Sequence, residues 1–407
     1  MDWLTDRLSK RLTFSLERTE EIYALLSGID AVKNAFRLTG QLLPQTINRL
    51  TQSVIVTSTG ASNRIEGNRL SDEEVEALYR NLRIRKFKTR DEQEVAGYLE
   101  MLELILESHA DMPLSEALIL QIHRDMLKYS DKDQRQRGVY KFGPNRVEAK
   151  DQSGNVVGVI FDPTPPHLTP KEMQELVAWR KWADQENFKH PLIRIGNFVF
   201  EYLAIHPFQD GNGRTSRLLT NLLLLKQGYM FTALVSHEKL IEERKADYYL
   251  ALNTAQSSWK SGNEDIFPWL IYFLEIVQSQ ATDALALVQE ERIENLLSKK
   301  QLALWQWVKA RNAPEFSRKD AVEALEFPRR TVESIIKKLV DLKRLEKIGL
   351  GRATRYRLER FRFEWNHSDL NRSDCGLCRN PPRSGRKAYV AFERKFSRAS
   401  TTKLERL

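Results

Sequence analysis

At 407 residues, with 41% hydrophobic and 29% charged side chains, the chain is too long for one hydrophobic core and too apolar for the disordered class, so two or three packed domains are expected. Its only two cysteines, Cys375 and Cys378, fall near the end, which excludes a disulfide framework for the main body. The formal charge of +9 is local: residues 317–360 carry 13 basic and 7 acidic side chains and residues 361–407 carry 11 and 5, so the basic character belongs wholly to the C-terminal part.

Met1, Asp2 and Trp3 lead into alternating charged and apolar residues, and no apolar run reaches spanning length. A cytoplasmic protein without membrane attachment is expected. From about Asp6 to about Trp182 apolar residues recur at helical spacing, as in the stretch from Glu94 to Ile105. Gly67 is a helix stop, and Ser71 with Glu74 forms a capping box for the next helix. One interruption, from Gly138 to Pro166, reads as a β-hairpin: Val139-Tyr140, Arg146-Val147-Glu148 and Val156 to Ile160 flank the turn-forming Asp151-Gln152-Ser153-Gly154-Asn155. A second helical block runs from Pro191 to about Leu287, with Gly228 as a stop. Beyond Glu291 come a helix around Leu302 to Trp307, a second from Ser317, a turn at Phe327-Pro328, a third helix to Leu342, then Leu345 to Ile348, Gly349-Leu350-Gly351 and Thr354 to Leu358. Three helices and a hairpin in that order predict a winged helix-turn-helix. From Phe361 the sequence loses periodicity around Pro381-Pro382 and predicts a flexible tail.

The segment richest in chemistry is His206-Pro207-Phe208-Gln209-Asp210-Gly211-Asn212-Gly213-Arg214-Thr215-Ser216-Arg217. Apolar runs on both sides predict two core helices that clamp it. Pro207 ends the first and presents the His206 imidazole, which near neutral pH can take a proton from a hydroxyl. Gly211, Asn212 and Gly213 offer unobstructed backbone N–H groups at the start of the second helix, a phosphate cradle favoured by the helix dipole. Arg214 and Arg217 can each fork onto phosphate oxygens, and Asp210 supplies a hard carboxylate for Mg²⁺. Neither a Walker-type P-loop nor a dinucleotide fingerprint occurs, which argues against an ordinary kinase or dehydrogenase.

This segment resembles the Fic family (filamentation induced by cAMP), whose signature His-x-Phe-x-Asp/Glu-Gly-Asn-Gly-Arg-x-x-Arg is met over 206–217 without departure. The resemblance covers roughly residues 30–290. It implies a mainly α fold: a Fic-type helical core with a β-hairpin flap, followed by the small winged helix-turn-helix domain. The corresponding division is 1–110 for an N-terminal helical region, 111–290 for the catalytic domain, 291–360 for the winged helix and 361–407 for the basic tail. The implied activity is transfer of AMP from ATP to a Tyr, Thr or Ser hydroxyl of a target protein, with pyrophosphate released. His206 would be the base and Phe208 the anchor. Asp210 would hold Mg²⁺; Gly211, Asn212 and Gly213 would bind the α- and β-phosphates, and Arg214 and Arg217 the β- and γ-phosphates. Tyr140 through Pro166 would be the flap that pairs with the target by strand addition.

Upstream, Ser62-Asn63-Arg64-Ile65-Glu66-Gly67-Asn68 resembles the family's inhibitory motif in its N-terminal version. The implied contact joins Glu66 to Arg217; a charge-assisted pair of that sort, about 1.5–3 kcal/mol, would suppress ATP binding roughly ten- to a hundredfold. Three alternatives stay open: removal of AMP with Glu66 orienting a water, another nucleotide donor, and a nucleotide-sensing DNA-binding regulator. For DNA, Arg329, Arg330, Ser334, Lys337 and Lys338 would enter a groove and Arg352, Arg355 and Arg357 would line the wing. A second copy of the chain is a further candidate partner. Cys375 and Cys378 are half a zinc site with no second pair, so zinc is not expected.

Overall fold

The computed structural model describes residues 3–358 apart from 5, 39–43, 82–86, 88, 146, 151–155, 312–314, 342–343 and 350–353. The expected tail with Cys375 and Cys378, and Arg352 of the expected wing, lie outside the described residues. Contacts divide the chain into two units, Met1–Leu297 and Ser298–Leu407.

In the first unit the helices run α1 Arg7–Lys10, α2 Leu16–Leu38, α3 Pro44–Ile65, α4 Asp72–Asn81, α5 Arg90–Ser108 and α6 Glu116–Met126. Strands β1 Val147–Lys150 and β2 Val156–Phe161 follow, then α7 Thr169–Gln185, α8 Pro191–Ile205, α9 Asn212–Lys226, α10 His237–Glu243, α11 Lys245–Gln256 and α12 Phe267–Leu296. Local chemistry sets many of the boundaries. Gly67 and Gly228 take positive φ, as helix stops require. Ser71 and Glu74 bond each other's backbone N–H groups ahead of α4, and Thr89 with Glu92 repeats the arrangement ahead of α5.

β1 and β2 pair antiparallel, Val147 opposite Phe161 and Lys150 opposite Val156, with register irregularities along β1. Val139 and Tyr140, expected in a strand, belong to none. The Tyr140 hydroxyl instead donates to Glu116 and its ring lies 6.0 Å from that of Phe208, so burial of an aromatic replaces strand pairing.

The core is built around α8 and α9, which are buried on nearly every side; α8 is mostly apolar, as such burial favours, while the first half of α9 buries Arg214, Thr215, Ser216 and Arg217 as well. α8 packs between α7, α9 and α12, while α3 lies against α5 and α10. The N-terminal α1 is tied in by charge: Arg11 donates to Glu201 at 2.6 Å, to Glu264 at 2.9 Å and to Asn197 at 2.6 Å. Burial alone would raise the Glu201 carboxyl, but Arg11 and Arg7 hold it at about 2.

In the second unit α13 Lys299–Lys309, α14 Arg318–Leu325 and α15 Arg329–Asp341 precede β3 Leu345–Ile348 and β4 Arg355–Leu358, which pair antiparallel. Phe316 bridges to Tyr356 as a short third member. Val332, Ile335, Ile336 and Leu339 bury one face of α15, leaving Arg330, Ser334 and Lys337 exposed on the other.

Candidate active site

α8 ends where Pro207 disfavours right-handed helix for the residue before it. His206 adopts φ 52° and ψ 61°, a left-handed conformation uncommon for a residue with a Cβ and concentrated at functional positions. Its N–H donates to Tyr202 O at 2.9 Å. Its Nδ1 lies 3.3 Å from Leu203 O; donation there leaves Nε2 as the proton acceptor. Burial, with the nearby Lys141 charge, holds this imidazole down at about 4, so at neutral pH it is an uncharged base.

The turn that follows closes on itself. Phe208 N–H donates to Asn212 Oδ1 at 2.8 Å, and Asn212 Nδ2 donates back to Phe208 O at 2.7 Å. The Phe208 ring stacks on His123 of α6, centroids 3.7 Å apart and planes within 1°. His123 Nδ1 accepts from Gly138 N–H at 3.0 Å, so Nε2 carries the proton it shares with Asp210 O at 3.0 Å. Burial keeps His123 neutral, at about 4.

Gly211 caps α9 at φ 80°, a left-handed conformation that favours glycine. The first N–H groups of α9 have no partner within the helix and favour an anion. The protein's own anion is already there. A Cβ on Gly213 would lie 2.2 Å from Glu66 Oε1 and 3.3 Å from Arg217 Nη1, so the Glu66 carboxylate rests directly over the cradle. Arg217 is buried; its Nε donates to Ser62 Oγ at 2.8 Å, and its Nη2 to Ser62 O at 2.9 Å and Glu66 Oε1 at 2.7 Å. Its Nη1 is buried with no hydrogen-bond partner among the described residues. Burial alone would raise the Glu66 carboxyl, yet Arg217 and then Arg214 hold it below the usual carboxylate value.

Asp210 Oδ1 accepts from Gly211 N–H at 2.6 Å and lies 3.4 Å from Arg214 Nη2; Oδ2 lies 3.8 Å from Arg90 Nη2. Despite burial, these neighbours keep it ionised. Buried Arg214 also faces Glu94 Oε2 at 3.1 Å.

The residues singled out for the nucleotide site fall within one cluster: His206, Asp210, Gly211, Asn212, Gly213, Arg214 and Arg217 from the loop, Ser62 from α3 and Glu66 just past its end. Two carry unforeseen duties. The Asn212 side chain closes the turn, and Arg214 is engaged by Glu94. Four neighbours escaped sequence reasoning: His123, Glu94, Lys141 and Asn145. His123 shares the apolar stripe of Ile119, Ile122 and Met126, where a histidine gives no sign of a partner 87 residues away.

With this geometry in view, residues 113–224 match the Fic/DOC family. The chain carries a Fic domain. Protein adenylyltransferase fic-1 of Caenorhabditis elegans is 28% identical over 199 residues, 47% of this chain and 34% of that protein. A probable protein adenylyltransferase of Aquifex aeolicus is 32% identical over 131 residues, 31% of this chain and 35% of its own length. The chain therefore spans about a third of the length of these relatives. A Fic family protein from Desulfovibrio desulfuricans has a solved structure that superposes with a TM-score of 0.55 at 24% identity, covering 86% of this chain and 97% of that one. A Fic domain containing signaling protein from Bacteroides thetaiotaomicron superposes at 0.51 with 26% identity, covering 65% and 95%. The matched stretch contains α6, the β1–β2 hairpin, α7, α8, the loop 206–217 and most of α9.

Proposed function

We propose that this protein is an autoinhibited protein adenylyltransferase. The observation that carries the reading is the pairing of an uncharged His206 with an anion cradle whose arginine, Arg217, is held by the chain's own Glu66. In the transfer, His206 Nε2 takes the proton of a Tyr, Thr or Ser hydroxyl. The oxygen attacks the α-phosphorus of ATP, and pyrophosphate leaves with its charge received by Arg214, Arg217 and the N–H groups of Gly211, Asn212 and Gly213. The unpartnered Nη1 of Arg217 beside Gly213 supports a phosphate oxygen there.

Magnesium fits the same site: one ionised carboxylate, Asp210, beside a phosphate cradle is the donor set that ion takes. Bound there, it would neutralise phosphate charge. The target segment adds to the flap as a further strand, consistent with the open antiparallel pair of β1 and β2.

The second unit is read as a winged helix-turn-helix with a groove-facing helix α15, because Arg330, Ser334 and Lys337 share its exposed side and Arg355 and Arg357 stand exposed on β4. A steep salt dependence of DNA binding by the full chain tests that part. Among the described residues no helix is long and apolar enough to cross a membrane, and a cytoplasmic site of action is part of the proposal.

His206→Ala tests the transferase itself. ATP binding and the melting temperature stay near wild type while labelled AMP transfer disappears. Transfer that survives in this variant refutes the assignment.

A further inference from the structure

Between α6 and the flap, the segment Lys141–Asn145 is stitched along the catalytic turn. Lys141 N–H donates to Pro207 O at 2.9 Å. The buried Lys141 Nζ donates to Ile205 O at 3.0 Å and to Asn145 Oδ1 at 2.8 Å. Asn145 Nδ2 then donates to His206 O at 2.9 Å and to Phe208 O at 2.6 Å. Gly143 N–H donates to Gln209 Oε1 at 3.3 Å, and Gln209 Nε2 donates to Pro144 O at 3.4 Å. The carbonyls of residues 205 to 208 all end on two side chains and one amide of a segment that the family signature does not include.

We propose that Lys141, acting through Asn145, is a positioning residue for AMP transfer: it holds His206 in its left-handed turn and fixes where the imidazole meets the incoming hydroxyl. The proposal rests on the transferase reading above. A left-handed histidine is strained, and its own carbonyl is one of the atoms Asn145 grips. Without that grip His206 would have an extended alternative, the conformation Pro207 favours for it, with the ring turned elsewhere.

Charge supports the same role. The groups whose charge acts on His206 are Lys141 from this segment, Glu66 from beyond α3 and Asp210 from the loop; the two carboxylates favour the imidazolium and Lys141 opposes them. Lys141 itself is lowered to about 8, first by burial, with Lys260 adding to this and Glu172 and Asp162 acting against it. It is therefore charged at neutral pH and keeps the nearby base free of its proton.

The test uses the full chain with and without Glu66→Gly. In Lys141→Met, NMR titration of the His206 ring moves up by about one pH unit or more, as expected when a neighbouring like charge is removed. In the Glu66→Gly background its kcat falls about ten- to a hundredfold, the scale of a misplaced reacting group, while KM for ATP changes less than about twofold because the cradle is untouched. Lys141→Arg restores both. Asn145→Ala, which keeps the charge, lowers kcat by a similar factor and leaves the His206 titration in place; it also decides the matter if Lys141→Met does not fold. An unmoved His206 titration in Lys141→Met, or loss of ATP affinity equal to the loss of kcat, overturns the proposal. Should Glu66→Gly alone transfer no AMP, the transferase reading fails separately, and the ring titration still reports on Lys141.

Discussion

Removing the Glu66 carboxylate tests the brake most directly. The Arg217–Glu66 contact is an ionic hydrogen bond at 2.7 Å between a buried guanidinium and a carboxylate whose side chain is 36% exposed. Such a bond contributes about 1.5–3 kcal/mol when shielded, and solvent screening at that exposure brings it nearer about 1–1.5 kcal/mol. Glu66 Oε1 sits directly over Gly213, so on the proposed reading phosphate and carboxylate would exclude each other and the whole of that energy would oppose ATP. Glu66→Gly should therefore tighten ATP binding about five- to tenfold, read by calorimetry. Labelled AMP incorporated into the protein itself should rise by at least as much. Glu66→Gln, which keeps the bulk and loses the charge, should fall between. Unchanged ATP affinity and unchanged labelling in Glu66→Gly would refute the reasoning.

Two further outcomes follow from buried charge. His123 and His237 are buried and held at about 4, against an ordinary 6.5. Between those values the unfolded chain binds protons that the folded chain does not, so stability is full above about pH 6.5 and falls as pH drops toward 4; at pH 5 the loss is about 2 kcal/mol for each histidine. Thermal unfolding at pH 7 and pH 5 measures it, and identical melting at the two values contradicts it. Arg11→Met strips Glu201 of one of its two arginine partners inside the core, with Arg7 left in place, which should cost about 1–3 kcal/mol; a melting temperature within a degree of wild type would show that α1 is not held by the Arg11 pair.

What the sequence made legible was local. The catalytic loop could be read because its donors, acceptors and glycines lie within twelve consecutive residues, 206–217, and the caps at Gly67 and Ser71 could be read because capping chemistry acts over three or four residues. The Ser62 and Glu66 contact with Arg217, across 155 and 151 residues, came only through the family resemblance. His123 escaped because a buried neutral histidine occupies a helix stripe as an aromatic would. Lys141 and Asn145 escaped because they bind carbonyls, which carry no residue identity. Tyr140 was misread as a strand residue because alternation does not distinguish an aromatic bound for a core from one bound for a sheet.

The stitching of Lys141–Asn145 to residues 205–209 has a consequence for target choice. β1 begins at Val147, two residues past Asn145, so the start of the hairpin lies next in sequence to the side chain that grips the His206 carbonyl. On the proposed strand addition, a target strand paired to that hairpin would be measured off against His206 residue by residue. Neighbouring side chains on a strand point to opposite faces, and the next on the same face lies about 7 Å away. Such a site would select a hydroxyl by its place in the register rather than by the residue that bears it.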